Sequence, residues 1–214
     1  MHKKTFAFSL FLIRIGWVLM TSLSLFLAIS TIEYLSFRDD INFLRVKPDV
    51  VHHWIWRTSF YLHITASLVI LAVAPFQFIS VFRKKYPQWH RILGNVYTFG
   101  VLWVAAPAGL YMSFYANGGF WAVIGFLILS SLWIGSTALA YYYIQLKKIQ
   151  LHQQWMVRSF ALTFSAVTLR LYVPLLSLTT SMPHELIITL SAWLNWIPNL
   201  LIGEILMYYY LKKI

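Results

Sequence analysis

Apolar residues are concentrated in six long stretches, which short polar and basic segments separate. A helix crosses the hydrocarbon core of a bilayer with roughly 20 mostly apolar residues, at about 1.5 Å per residue. The pattern therefore predicts an all-α fold, a polytopic membrane helical bundle of about six transmembrane helices that forms one domain over residues 1–214. The predicted helices cover residues 11–32, 58–81, 93–114, 120–144, 156–178 and 186–210.

The composition supports a bundle in contact with lipid. The chain is 60% hydrophobic and 11% charged, whereas a soluble domain is about 45–50% apolar and about 25% charged. The net charge of +11 does not indicate a nucleic-acid partner, because the basic residues lie in short clusters beside apolar runs. The absence of cysteine excludes thiolate metal sites and disulfides, and we predict no metal site. No soluble-enzyme motif is present, and any catalytic residues stay unknown.

Charge predicts the orientation. Loops that carry Lys and Arg stay in the cytoplasm, so the basic clusters place both termini there. The segments on that side carry basic residues only: Lys3, Lys4, Arg14, Arg83, Lys84, Lys85, Arg91, Lys147, Lys148, Arg158, Lys212 and Lys213. Four acidic residues fall on the other side: Asp39, Asp40, Asp49 and Glu185. The longest loop there, residues 33–57, is interpreted as an interfacial segment with Trp54 and Trp56 at headgroup level, rather than as a lid.

Two ionisable residues lie inside the spans toward the outer face. His63 belongs to the second predicted helix and Arg170 to the fifth, and they could meet if these two helices are neighbours. Pro174 cannot donate to the Arg170 carbonyl, so the fifth helix is expected to kink there. Charged groups inside a membrane often mark functional sites. Arg170 either lines a polar cavity with His63 or extends to the outer headgroups.

Glu204 is the one acidic residue well inside a predicted helix. A carboxylate at that depth needs a partner, because an unpaired charge is strongly disfavoured in an apolar medium. Arg158 can reach it by helix arithmetic, and Arg14 is the other candidate. We therefore predict a buried polar pair between the fifth and sixth helices, which can be structural or functional.

Two histidines share a position at the inner side. His90 begins the third helix and His152 begins the fifth, and both helices run from inside to outside. Two histidines at equal depth on separate helices are the minimal geometry for haem b ligation. Gly94, one turn above His90, could let a flat group or another helix come close to that face. The alternative is a pair of interfacial histidines that face headgroups.

Three motifs carry a resemblance over roughly residues 60–196. They are His90-Arg91-Ile92-Leu93-Gly94-Asn95-Val96-Tyr97, His152-Gln153-Gln154-Trp155-Met156-Val157-Arg158-Ser159 and Val167-Thr168-Leu169-Arg170-Leu171-Tyr172-Val173-Pro174. With His63, they resemble a bacterial family of predicted membrane proteins, DUF2306. The resemblance implies a multi-pass inner-membrane protein with these histidines and arginines as family positions, and it implies no established activity. A weaker likeness is to cytochrome b561 and ferric reductases, although His63 has no second histidine for an outer haem.

The sequence therefore predicts a multi-pass inner-membrane protein with polar residues near the cytoplasmic face. Three functions stay open: a haem-binding redox or assembly protein that uses His90 and His152, a small transporter or lipid-handling protein, and a structural subunit of a larger complex. The expected partners are the lipid bilayer and either another membrane protein or a second copy of the chain.

Overall fold

The computed structural model describes residues 2–38 and 41–211, with side chains for residues 15–38, 41 and 43–209. Some residues of the orientation argument lie outside the described side chains: Lys3, Lys4, Arg14, Asp39, Asp40, Lys212 and Lys213. The pairing of Arg14 with Glu204 therefore falls outside the described part of the chain.

The described residues form helices and connecting turns. The helices are α1 (His2–Thr31), α2 (Trp54–Phe78), α3 (Ser80–Lys85), α4 (Pro87–Gly100), α5 (Ala106–Ser113), α6 (Gly119–Gln145), α7 (Ile149–Thr163), α8 (Ser165–Thr179), α9 (His184–Leu194) and α10 (Ile197–Leu211). Six segments are long and apolar enough to cross a membrane, which confirms the predicted membrane bundle. The spans are α1, α2, α4 with α5, α6, α7 with α8, and α9 with α10.

The two ends of the bundle differ in character. One end, here called the basic end, holds the connections around α3 and at residues 146–148, with Arg83, Lys84, Lys147 and Lys148. The opposite end, here called the capped end, holds the loops at residues 32–53, 114–118 and 180–183. The chain alternates between the two ends from one span to the next.

Three spans are interrupted near their middles. Residues Val101–Ala105 form a π-helical segment between α4 and α5, and Pro107 follows it. The α9–α10 break lies just before Pro198, which cannot donate to the Leu194 carbonyl. The break at Phe164, between α7 and α8, has a different cause. Side-chain hydroxyls there bond to backbone carbonyls, including Ser165 Oγ to the Leu162 oxygen at 2.5 Å, and such bonds bend helices.

Helix α6 occupies the centre of the bundle. It packs against α5, α7 and α9, while α2 packs against α1, α4 and α5. A second set of contacts closes the bundle, since Leu27 of α1, Leu71 of α2 and Val167 of α8 share one apolar cluster. The first, second and fifth spans therefore contribute to one apolar cluster near the middle of the bundle.

A network of hydroxyl groups fills the interior between α4, α6 and α7. Tyr97 Oη lies 2.8 Å from Ser159 Oγ and 2.7 Å from Thr163 Oγ1. Trp133 Nε1 donates to Thr163 Oγ1 at 2.9 Å. Thr137 Oγ1 lies 2.7 Å from Ser159 Oγ and donates to the Trp133 carbonyl at 2.7 Å. The network thus joins three different spans, and its polar groups satisfy one another's hydrogen bonds without bulk water.

A polar joint also connects the fifth and sixth spans at their breaks. Thr168 Oγ1 donates to the Asn195 carbonyl at 2.6 Å. The amide of Asn199 donates to the same carbonyl at 2.8 Å and reaches Thr168 Oγ1 at 3.1 Å. Backbone groups freed by a helix break need such partners inside a membrane.

The loop at the capped end is a packed cap rather than only an interfacial segment. Trp54 is 75% exposed and suits the headgroup level, but Trp56 is 1% exposed and packs with Leu44 and Phe60. Trp54 therefore fits the expected headgroup position, whereas Trp56 belongs to the apolar core beneath the cap. Lys47 holds the cap against the loop between α5 and α6. Its ammonium donates to the Tyr115 carbonyl and, at 2.6 Å, to Asn117 Oδ1.

The fastening lysine is buried. Burial lowers the pKa of the Lys47 ammonium, and the charge of nearby Asp49 acts in the opposite direction. The ammonium keeps two oxygen acceptors on the loop between α5 and α6, so the cap and that loop are held together.

Candidate functional site

The two histidines at the basic end both begin membrane spans. Pro87 starts α4, where a proline loses no helical hydrogen bond, and His90 follows in the first turn. His152 lies in the first turn of α7. Both side chains are half-buried, and His152 acts electrostatically on His90. The two histidines that the sequence singled out thus lie at the same end of the bundle.

The ring of His152 is held in one orientation. Its Nδ1 lies 2.9 Å from the Ala140 carbonyl of α6. A carbonyl can only accept, so Nδ1 carries the proton and the neutral ring keeps its lone pair on Nε2. A histidine that binds a metal has the same arrangement, with the distal N–H on a carbonyl and the other nitrogen free.

Two polar atoms near His90 are buried without a hydrogen-bond partner among the described residues. They are His90 Nδ1 and Gln77 Nε2. The side chain of Gln77 lies against Gly94, where a Cβ would stand 3.2 Å from Gln77 Oε1. Of the two groups expected to approach the face of Gly94, the structure shows another helix, since the Gln77 amide of α2 lies there. A buried polar atom without a partner is costly, and a ligand could satisfy it.

Arg83 completes this cluster. Its positive charge acts on both His90 and His152. The acidic residue that the structure describes toward the basic end is Glu204, and it pairs with Arg158. The cluster is thus two imidazoles and one guanidinium with a net positive potential, which suits an anionic ligand or a cofactor with acidic substituents.

His63 lies at a second level, in the capped half. Its Nδ1 donates to the Ala105 carbonyl at 2.7 Å, and this carbonyl belongs to the π-helical segment. Gly109 is needed beside the ring, because a Cβ there would stand 2.9 Å from His63 Nδ1. The ring also meets Trp133 edge-on, with 6.4 Å between the centroids.

Arg170, which the sequence argument placed at the same level, acts electrostatically on His63. Its side chain is exposed on the bundle surface, within the fifth span.

The predicted pair between Arg158 and Glu204 is present. Arg158 Nε donates to Glu204 Oε1 at 2.6 Å, and Nη2 donates to Oε2 at 3.0 Å. The guanidinium also lies 4.5 Å from the Trp155 ring. The two side chains are 25% and 48% exposed, so the pair sits on the bundle surface and not in its core. Because the two opposite charges neutralise each other, the pair can lie within a membrane span.

Three features escaped the sequence argument: the hydroxyl network around Tyr97, the lysine that fastens the cap, and the asparagine joint. Each is made of polar residues spaced like core positions, so periodicity alone does not separate them from apolar core. Within the described residues, no three histidine or acidic side chains come together as a metal site would require.

We expect Arg158→Ala and Glu204→Gln each to lower the melting temperature in detergent, because each leaves one charge without its partner. The double variant should lose less than the sum of the two, by about 1 kcal/mol or more of coupling. A matched control pairs Arg91→Ala, at the same end of the bundle, with Glu204→Gln, and these losses should add. Additive losses for Arg158 and Glu204 as well would mean that the bidentate pair contributes nothing to stability.

Comparison with known proteins identifies a family. No curated protein and no solved structure matches the chain. A family model described as "Predicted membrane protein (DUF2306)" matches residues 60–207. This range holds both histidines of the basic-end cluster, His63, Arg170 and the Arg158–Glu204 pair. Since the model matches more than half of the chain, the protein belongs to the DUF2306 family of predicted membrane proteins.

Proposed function

We propose that this protein binds haem b at the basic end, with His90 and His152 as the axial ligands, and serves in one-electron transfer or in the assembly of a redox protein. The observation that carries the proposal is the convergence of two histidines from different spans beside Arg83. Haem iron held by protein side chains cycles between two oxidation states, and its ligands and surroundings set the potential.

His152 supports the proposal by its hydrogen bond. The Ala140 carbonyl fixes the Nδ1 proton, so Nε2 can serve as a ligand without a change of tautomer. The Ala140 carbonyl belongs to α6, the central helix. It would therefore hold the His152 ring at a constant depth in the bundle.

His90 and Gln77 support the haem proposal through their unsatisfied hydrogen-bonding groups. Each keeps a buried nitrogen without a partner among the described residues. For His90, coordination would use such a nitrogen, and the Gln77 amide could donate to an acidic substituent of the cofactor. Binding would require the Gln77 side chain to leave the face of Gly94, where it now packs.

Arg83 supports an acidic cofactor. Its charge acts on both histidines and is available to carboxylates at the membrane boundary. An arginine binds a carboxylate through charge-assisted, often bidentate hydrogen bonds. Haem b carries two such groups, and Arg83 would be the residue that holds one of them.

Transport or lipid handling is the second candidate. The observation in its favour is the interruption of three spans, at residues 101–105, 164 and 195–196. Discontinuous helices line the substrate sites of many transporters. A haem spectrum separates the two functions, because the transport proposal requires no cofactor.

We expect the protein, purified from cells supplied with a haem precursor, to show a Soret band that shifts on reduction. His90→Leu and His152→Leu should each lose most of the bound haem, since each removes one axial ligand. His184→Leu is the matched control, because His184 starts α9 at the capped end.

A colourless wild-type preparation would contradict the haem proposal and leave the cluster to another anionic ligand. An unchanged spectrum in both ligand variants would also contradict it. Arg83→Gln adds a finer readout: we expect it to keep the spectrum but to weaken haem retention, since it alters a cofactor carboxylate contact and not the ligands.

We further infer that the basic end faces the cytoplasm of a bacterial inner membrane. Supporting residues are Arg83, Lys84, Lys85, Lys147 and Lys148 on the connections of that end. Short loops rich in Lys and Arg are retained in the cytoplasm. In the described part of the chain, the loop at residues 32–53 of the capped end carries fewer basic residues, Arg38, Arg45 and Lys47, and Asp49 lies beside them.

Reporter fusions test this orientation. A fluorescent protein that folds in the cytoplasm should be bright after Lys213 and dark after Asn117, and a periplasmic phosphatase should show the reverse. An active phosphatase after Lys213 would contradict the orientation, and activity of both reporters at one position would contradict a single topology.

A further inference from the structure

An open groove lies at the capped end of the bundle, along the first half of α2. Its volume is about 390 Å³, and its lining residues are Phe37, Arg57, Thr58, Tyr61, Leu62 and Thr65. The histidines of the proposed haem site lie at the other end of the bundle, so this groove is independent of that proposal.

One face of α2 forms the floor of the groove. Five of the lining residues belong to α2 and follow the spacing of three and four residues that places side chains on one helical face. Another face of α2 packs inward, with Phe60 and Ile64 in the apolar cluster beneath the cap. Thr58, Leu62 and Thr65 are exposed, so the groove opens away from the bundle interior.

Phe37 of the cap forms a wall of the groove. The centroid of its ring lies 4.8 Å from the centroid of the Tyr61 ring. Its backbone has a φ of 56°, in the left-handed region that a bulky residue rarely adopts. Residues in such conformations persist where the surrounding structure holds them, and they are often found at ligand clamps.

Arg57 supplies the charge of the groove. Its Nη2 donates to the Phe37 carbonyl at 3.3 Å, and its guanidinium carbon lies 6.0 Å from the centroid of the Tyr61 ring. These contacts hold the guanidinium beside the wall of the groove. A guanidinium has five N–H donors and can hold a phosphate beside the bonds that it makes within the protein. None of the six described lining residues is acidic, which suits an anionic group.

The groove runs from headgroup depth into the hydrocarbon. Trp54, exposed at the start of α2, marks the headgroup level, and Arg57 follows about one turn later. Thr65 lies roughly 16 Å from the start of α2 by helix rise, about half the thickness of the hydrocarbon core. A small soluble anion would occupy only the part beside Arg57, whereas a lipid places its phosphate there and an acyl chain in the deeper part.

We propose that this groove binds an anionic phospholipid of the surrounding membrane. Arg57 holds the phosphate by charge-assisted hydrogen bonds, and the Thr58 hydroxyl bonds to an oxygen of the headgroup. The first part of one acyl chain lies along Leu62 and Thr65, and the rest of the lipid stays in the bilayer. Because the lipid contacts both Phe37 of the cap and α2, its binding holds the cap on the bundle.

The test uses the full-length protein, purified and stripped of lipid in detergent. Its melting temperature is measured against added dioleoyl phosphatidylglycerol, dioleoyl phosphatidylcholine, dioleoylglycerol or glycerol 3-phosphate. A ligand that binds only the folded state raises the melting temperature once its concentration exceeds its Kd. We expect phosphatidylglycerol to stabilise the protein most and phosphatidylcholine less, with no effect of the other two probes at the same concentration.

Variants tie the response to the groove. Arg57→Gln should raise the apparent Kd for phosphatidylglycerol roughly tenfold or more, because it removes a charge-assisted contact. Leu62→Trp fills the deeper part and should weaken binding without a change of charge. Arg45→Gln, in the cap but outside the groove, is the control for charge. Leu171→Trp is the control for size, because Leu171 is as exposed as Leu62 but belongs to α8.

Four results would overturn the proposal. They are no response of the wild type to phosphatidylglycerol, equal stabilisation by phosphatidylcholine or dioleoylglycerol, stabilisation by glycerol 3-phosphate, which would indicate a soluble anion, and a wild-type Kd in Arg57→Gln or Leu62→Trp. If Arg57→Gln does not fold, the comparison of Leu62→Trp with Leu171→Trp decides in the same way. The haem spectrum should be the same in all these variants, which separates this groove from the site at the basic end.

Discussion

The hydroxyl network between α4, α6 and α7 is the interaction on which the rest of the bundle depends. Lipid offers no hydrogen bonds, so polar groups inside the bundle must satisfy one another. Tyr97, Thr137, Ser159 and Thr163 do so in a set where every hydroxyl proton can find an acceptor. Apolar packing between helices is tolerant of sliding, whereas these short bonds fix the relative depth of three spans.

Because the network fixes the relative depth of these spans, it also sets the depths of the polar sites at His63 and at His152. Trp133 belongs to the network and also meets the ring of His63. Ala140, two turns further along α6 and about 10 Å away, binds the ring of His152. On α4, Tyr97 lies about two turns from His90. Helix α6 therefore carries, on one face, the residues that set the positions of both sites.

The sequence predicts the spans well, because a run of about 20 apolar residues is decisive for a helix in lipid. It also predicts the Arg158–Glu204 pair, since an intramembrane carboxylate demands a partner at its own depth. The break at Phe164 could not be predicted in this way. No proline marks it, and it arises from local hydroxyl bonds whose geometry depends on tertiary packing.

The chemistry of the sites can be predicted from the sequence only in part. The equal depth of His90 and His152 follows from their places at the starts of two spans, but the Ala140 carbonyl that orients His152 requires α6 to lie beside α7. The packing of Gln77 against Gly94 was also hidden, because a glycine on a helix face indicates close approach without naming what approaches. Both contacts join residues that are far apart in the sequence, so residue types alone do not predict them.

The central claim is that the hydroxyl network holds the spans in register, and thermal unfolding of Tyr97→Phe tests it most directly. Tyr142→Phe is the control, because Tyr142 is an exposed tyrosine on α6. The account predicts that Tyr97→Phe loses about 1 kcal/mol of stability, the size found for side-chain hydrogen bonds within membranes. A melting temperature of Tyr97→Phe equal to that of Tyr142→Phe would contradict the account.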